Sequence, residues 1–139
     1  MAKITKKIKA FVAARAKYYC EYCKAQKMFS GDDFSVDHID PQSKGGNDNL
    51  SNLAFCCQAC NNRKYTSINA IDPITGINAP LFNPRTQLWN THFQWSGDYT
   101  LILGITDTGR ATVNRLQLNR SGLVNLRRAL FNQNLHPPD

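Results

Sequence analysis

Two Cys-x-x-Cys pairs, Cys20/Cys23 and Cys57/Cys60, frame the stretch of this 139-residue chain that could do chemistry. Between them lie Asp37-His38-Ile39-Asp40-Pro41, Gly45-Gly46, Asn49-Leu50 and Asn52-Leu53, and directly after them come Asn61, Asn62, Arg63 and Lys64. Four thiolates at this spacing suit one tetrahedral zinc. Sulfur then fills every coordination position, so such a zinc is structural. A short segment with a Gly-rich loop buries too little surface to fix itself, and a zinc worth of order 10 kcal/mol in apparent binding energy can do so. Cys56 is surplus. It either replaces Cys57 as a ligand or lies buried beside the site, and the pair spacing favours Cys57.

His38 carries an imidazole, a side chain able to take a proton from a water attacking phosphorus. Asp37 and Asn61 offer a carboxylate and an amide oxygen, hard donors that suit Mg²⁺ or Mn²⁺ once water and phosphate oxygens complete the shell. A cation there would stabilise charge at phosphorus and at the leaving 3′ oxygen. The alternative reading of Asn61, the weaker of the two, is a helix cap. Lys44, Arg63 and Lys64 are candidates for phosphate contact, and each alone reads as well as solvated surface charge.

These groups need elements to hold them. Residues 34–36 read as a short strand that delivers Asp37 and His38 at its end. Pro41 and Gly45-Gly46 mark a loop. Residues 52–55 form a return strand, and 59–65 a helix carrying Asn61 and Lys64. Ahead of them, 5–18 reads as an amphipathic helix with Ile4, Ile8, Phe11, Val12 and Tyr19 on one side and Lys6, Lys7, Lys9 and Lys17 largely elsewhere. Its lysine face is either a solvated surface or a phosphate contact through residues such as Lys6 and Lys9, and Arg15 near its end can join them.

Beyond the site, 66–87 is turn-rich without a clear period and reads as an ordered connector. Trp89, Thr91, Phe93 and Trp95 alternate with polar neighbours as on a half-buried strand, Gly97-Asp98 reads as a hairpin turn, and 99–105 as the partner strand. Residues 110–117 are ambiguous between strand and helix. The span 121–134 reads as a helix with Leu123, Leu126, Leu130 and Phe131 on one face. Arg110, Arg115, Arg120, Arg127 and Arg128 either extend a basic footprint or are ordinary surface charge.

Length and composition fit one globular domain over 1–139. The chain carries a formal charge of +7. Residues 1–27 hold eight Lys/Arg against one acidic residue, Glu21, whereas 28–64 hold three basic and five acidic residues. Positive potential is front-loaded, and the acids gather where a cation would sit. That balance favours a polyanionic partner. The charged start lacks the apolar core of a signal peptide, and no run approaches a membrane span. We therefore expect a soluble, cytoplasmic protein with no membrane partner. An odd five cysteines in Cys-x-x-Cys pairs argue for metal in a reducing compartment, not for disulfides.

Together, Cys20-x-x-Cys23, Asp37-His38-Ile39-x-Pro41, Gly45-Gly46, Asn49-Leu50, Asn52-Leu53 and Cys57-x-x-Cys60-Asn61-x-x-Lys64 resemble the HNH endonuclease family, in its zinc-stabilised ββα-metal branch. The segment Leu81-Phe82-Asn83-Pro84-Arg85, with Trp89, His92-Phe93 and Gly109-Arg110-Ala111-Thr112-Val113, resembles the tail of a stand-alone bacterial subfamily, from which no tail function carries over. With the N-terminal helix read above, and a 66–139 extension read as a β-hairpin plus helix packed on the core, the expected fold is α+β. The resemblance implies its ββα-metal core at 20–64. It also implies His38 as the water-activating base. Asn52 matches the middle residue of the family signature, which braces the loop and orients the histidine; it also reads as a turn asparagine. Many relatives carry histidine where Asn61 stands, which leans this site toward Mg²⁺.

The expected activity is metal-dependent hydrolysis of DNA, most naturally double-stranded, leaving 5′-phosphate and 3′-hydroxyl ends. A homodimer would allow paired nicks, and no interface is visible. The alternative is a zinc-knuckle nucleic-acid-binding module without catalysis. It needs the cysteines and basic residues but has no use for Asp37, His38 and Asn61 together. A Cys-x-x-Cys oxidoreductase would need a thioredoxin-like βαβ context that is missing.

Overall fold

The computed structural model describes residues 4–138, which divide into two compact units. The first comprises residues up to Ile68 together with Asn83–Arg85, and the second Asn69–Phe82 with the rest of the chain from Thr86.

The first unit opens with α1 (Lys6–Arg15), whose N-cap Thr5 accepts a hydrogen bond from the Ile8 amide at 3.2 Å. Val12, Ala13 and Ala16 face inward and, with Leu53 and Phe55, make a small core flanked by Ile4, Ile8, Phe34 and Val36. Phe11 does not join the inner face. It is 51 % exposed, because successive helix residues turn about 100° and Val12 already points inward. Strand β1 (Phe34–His38) pairs antiparallel with β2 (Leu53–Cys57), in a register that sets Phe34 opposite Cys57 and His38 opposite Leu53. Every residue of β2 is buried, as its Leu-Ala-Phe-Cys-Cys run requires. Helix α2 (Gln58–Lys64) follows directly, completing strand, loop, strand and helix in the expected order.

Two charged residues tie this small core together. Arg15 does not turn outward with the lysines. It donates to the carbonyls of Leu50 and Leu53, at 3.0 and 2.7 Å, and so anchors the loop entering β2. Glu21 accepts from the Phe55 amide at 2.8 Å and pairs with Arg85.

In the second unit, the stretch read as an aperiodic connector contains a hairpin, β3 (Asn69–Ile71) with β4 (Asn78–Pro80). Its turn is built on Asp72, which accepts from the Ile74 amide and the Thr75 hydroxyl and receives the Arg110 guanidinium bidentately at 3.0 and 2.8 Å. The strand expected from Trp89 starts late. Trp89–His92 form a helical turn, α3, and only Phe93–Trp95 extend as β5, paired with β6 (Ile102–Gly104). Trp89 packs its ring 5.1 Å from Phe93, an i, i+4 contact that belongs to a helix.

The ambiguous 110–117 lie mostly in α4 (Asp107–Leu116), whose N-cap Thr106 accepts from the Gly109 amide. Gly109 is obligatory here, since a Cβ would stand 2.0 Å from the His92 carbonyl oxygen. Helix α5 (Ser121–Asn132) matches expectation and buries Leu123. It also buries Arg127, which donates to the carbonyls of Thr100 and Leu118 and lies over the Trp95 ring. Arg127 and Arg110 are therefore structural rather than part of a basic footprint. Among the described residues, no helix is long and apolar enough to cross a membrane.

Candidate active site

Cys20, Cys23, Cys57 and Cys60 lie on three pieces of backbone. Cys20 and Cys23 sit in a tight knuckle closed by Lys24 N–H to Cys20 O and Cys20 N–H to Ala25 O, both 2.9 Å. Cys57 ends β2 and Cys60 lies in the first turn of α2. All four are buried, and their Sγ atoms lie within 4.8 Å of one another, Cys23 and Cys57 at 3.7 Å. Zinc–sulfur bonds of about 2.3 Å give tetrahedron edges of about 3.8 Å, so the cluster fits one zinc. Burial, first, pushes the Cys20 thiol well above its ordinary value, a cost that a cation reverses by holding the thiolate. Strand alternation turns Cys56 the other way, 4.0 Å from the Ser35 hydroxyl, which settles the choice between Cys56 and Cys57.

Asp37 lies one residue before the end of β1 and is 4 % exposed. The Tyr22 hydroxyl donates to its Oδ2 at 2.8 Å, and the Lys64 ammonium lies 3.2 Å from the same oxygen. Burial holds the Asp37 carboxyl above its ordinary value, with Lys64 and then Tyr22 pulling it back. Lys64 also donates to the His38 and Ile39 carbonyls at 3.2 and 3.0 Å. Expected at a phosphate, Lys64 is instead 1 % exposed and spends its charge inside. Its long stem lets α2 reach back under β1 while the ammonium finds a carboxylate and two carbonyls.

His38 points elsewhere. Its side chain is 21 % exposed, and Nε2 lies 2.7 Å from Asp48 Oδ1. Asp48 also accepts from the Gln42 amide at 2.9 Å, and its carboxyl sits below the ordinary range, first because of the His38 contact. The loop that carries Asp48 across to His38 is clamped by Asn52, which is buried in the turn just before β2. Asn52 Oδ1 accepts from the Asp40 amide at 2.8 Å, while Nδ2 donates to the Asp40 and Asn47 carbonyls at 3.0 and 2.8 Å. Gly45 adopts φ +89°, and a Cβ on Gly46 would overlap the Asp40 carbonyl oxygen at 1.6 Å. Only glycine permits that turn.

Asn61, half-buried on α2, makes no side-chain hydrogen bond among the described residues, so its amide oxygen is available as a donor to an ion. Asp37 and Asn61 are hard oxygen donors of the kind a divalent ion takes. At Asp37 the Lys64 ammonium already stands in as a cation. Lys6, Lys9, Lys44 and Arg63 are exposed, as a phosphate contact requires. His92, 2.7 Å from the Thr106 hydroxyl, and His136, on the Tyr99 carbonyl, are held within the second unit.

Sequence reasoning missed Tyr22, Gln42 and Asp48. Tyr22 hid between two zinc ligands, and Asp48 in a run of Gly and Asn that reads as a turn. Residues 20–67 match the family model HNH endonuclease, the family that the sequence resembles, and the match points to nuclease-type action on nucleic acid. Comparison with curated proteins and with solved structures returned no match.

Proposed function

We propose that this protein is an HNH endonuclease that hydrolyses phosphodiester bonds of DNA, with His38 as general base. The observation that carries this reading is the imidazole of His38, solvent-accessible and fixed at the end of β1 by a carboxylate. Its unprotonated nitrogen takes a proton from water, the water oxygen forms a bond to phosphorus, and the P–O3′ bond breaks. The 3′ oxygen leaves with the bonding pair and is protonated from solvent, giving 5′-phosphate and 3′-hydroxyl ends. Asp37 and Asn61 would hold Mg²⁺ or Mn²⁺, which when bound neutralises charge at the scissile phosphate. An ion at Asp37 would compete with the Lys64 ammonium for the same carboxylate. Lys6, Lys9, Lys44 and Arg63 would meet backbone phosphates, which bind duplex DNA without reading its sequence.

One observation favours a second reading. Lys64 pairs with the carboxylate that an ion would need, an arrangement at home in a zinc-held binding module without catalysis. Incubating zinc-loaded protein with supercoiled plasmid in Mg²⁺, Mn²⁺ or EDTA separates the two. Nicking in a divalent metal, absent in EDTA and leaving ends that ligase reseals, is the expected result. Tight binding without cutting in any metal would establish the binding module instead.

A further inference from the structure

The His38–Asp48 contact has a chemical consequence that rests on the reading of His38 as the base. An ionised carboxylate only accepts hydrogen bonds, so Nε2 of a neutral His38 must carry the proton and donate it to Asp48. The lone pair is then on Nδ1, which takes no hydrogen bond among the described residues. Asp48 is itself held. Gln42 donates to the same oxygen, and Asn52 clamps the Asp40 and Asn47 carbonyls on either side of the loop. Gly46 lets that loop close against Asp40 with no side chain between. The geometry points to Asp48 as a positioning residue that fixes the tautomer and plane of His38, making Nδ1 the nitrogen that takes the proton from water.

On proton uptake at Nδ1 the ring becomes an imidazolium whose Nε2–H already faces a negative charge, so the step meets no reorganisation. No other acidic residue among the described ones hydrogen-bonds to His38, so Asp48 has no substitute.

The test uses the full-length, zinc-loaded protein with Asp48→Ala and Asp48→Asn, reading imidazole ¹⁵N shifts assigned with His38→Ala. Wild type is expected to show a protonated Nε2 and a lone-pair Nδ1 in the neutral ring. Asp48→Ala should relax it to a mixture of tautomers and lower kcat roughly 10- to 100-fold with KM little changed. That lies within the ~100- to 10,000-fold that general-base catalysis supplies. Asp48→Asn keeps an acceptor oxygen at the same place and should retain the tautomer, rescuing part of the rate. A wild-type ring protonated on Nδ1, or tautomer and kcat unchanged in Asp48→Ala, would overturn the assignment. Protein that holds this tautomer but cuts nothing would sink the nuclease reading while leaving Asp48's hold on His38 standing.

Discussion

The two units solve the same problem, a small core, by different means. All five cysteines lie in the first unit, where four of them converge and the apolar core is little more than Val12, Ala13, Ala16, Leu53 and Phe55. The second has no cysteine. It closes on a mesh of rings, with Phe82 edge-on to Phe93 and Trp89 against Phe93 and Trp95, on a half-buried Arg110 paired with the buried Asp72, and on Arg127 buried against backbone carbonyls. The difference matters for chemistry. In the first unit a four-cysteine cluster placed to hold a metal stands where ring packing stands in the second, and polar side chains such as Asn52, Asp48 and Lys64 gather around His38 and Asp37.

The largest effect that would break this contrast is zinc removal. Chelation is expected to strip hydrogen-exchange protection from residues 20–64, a loss of order 10 kcal/mol, while β5, β6 and α4 keep theirs. Equal loss in both units would show that zinc does not underwrite one of them alone. Cys57→Ser should reproduce the chelated state, and Cys56→Ser should not.

Lys64 comes next. Lys64→Met leaves the buried Asp37 without its cation, and urea melts should lose about 3–5 kcal/mol. Because Asp37 would then be open to another cation, Mg²⁺ should raise the midpoint of this variant by more than that of wild type, where the ion competes with the Lys64 ammonium. A Lys64→Met protein as stable as wild type, and blind to Mg²⁺, would mean that the pair does not hold the first unit together.

The smallest effect lies in the second unit. Arg110, first, holds the Asp72 carboxyl at about 2, below its ordinary 3.8. Because the folded value is the lower one, the pair contributes fully above about pH 4, and the contribution is lost as pH falls through about 2. Asp72→Asn should therefore melt lower than wild type at neutral pH and show a flatter loss of stability between those values. Parallel curves for the two proteins would remove Asp72 from the acid response.

How much of this was readable beforehand follows the same division. The strand, loop, strand and helix around His38 could be read because metal-ligand spacing and Gly45-Gly46 are local patterns. The partners of the site residues could not. Asp48 meets His38 only once Asn52 has drawn the loop closed, and Tyr22 meets Asp37 only across the zinc knuckle. Lys64 showed its charge but not that its stem would carry it inward. In the second unit, Asn69–Ile71 and Asn78–Pro80 are three-residue strands, too short to show alternation. The Trp89 turn misled for the opposite reason. Its aromatic spacing fits a strand until the i, i+4 contact with Phe93 is seen.

The most direct test of the whole account is the plasmid-nicking rate of His38→Ala, with zinc content and circular dichroism matched to wild type. The account predicts a loss of ~100- to 10,000-fold in kcat with the fold intact. Cutting at the wild-type rate would contradict it, because the base would then lie elsewhere.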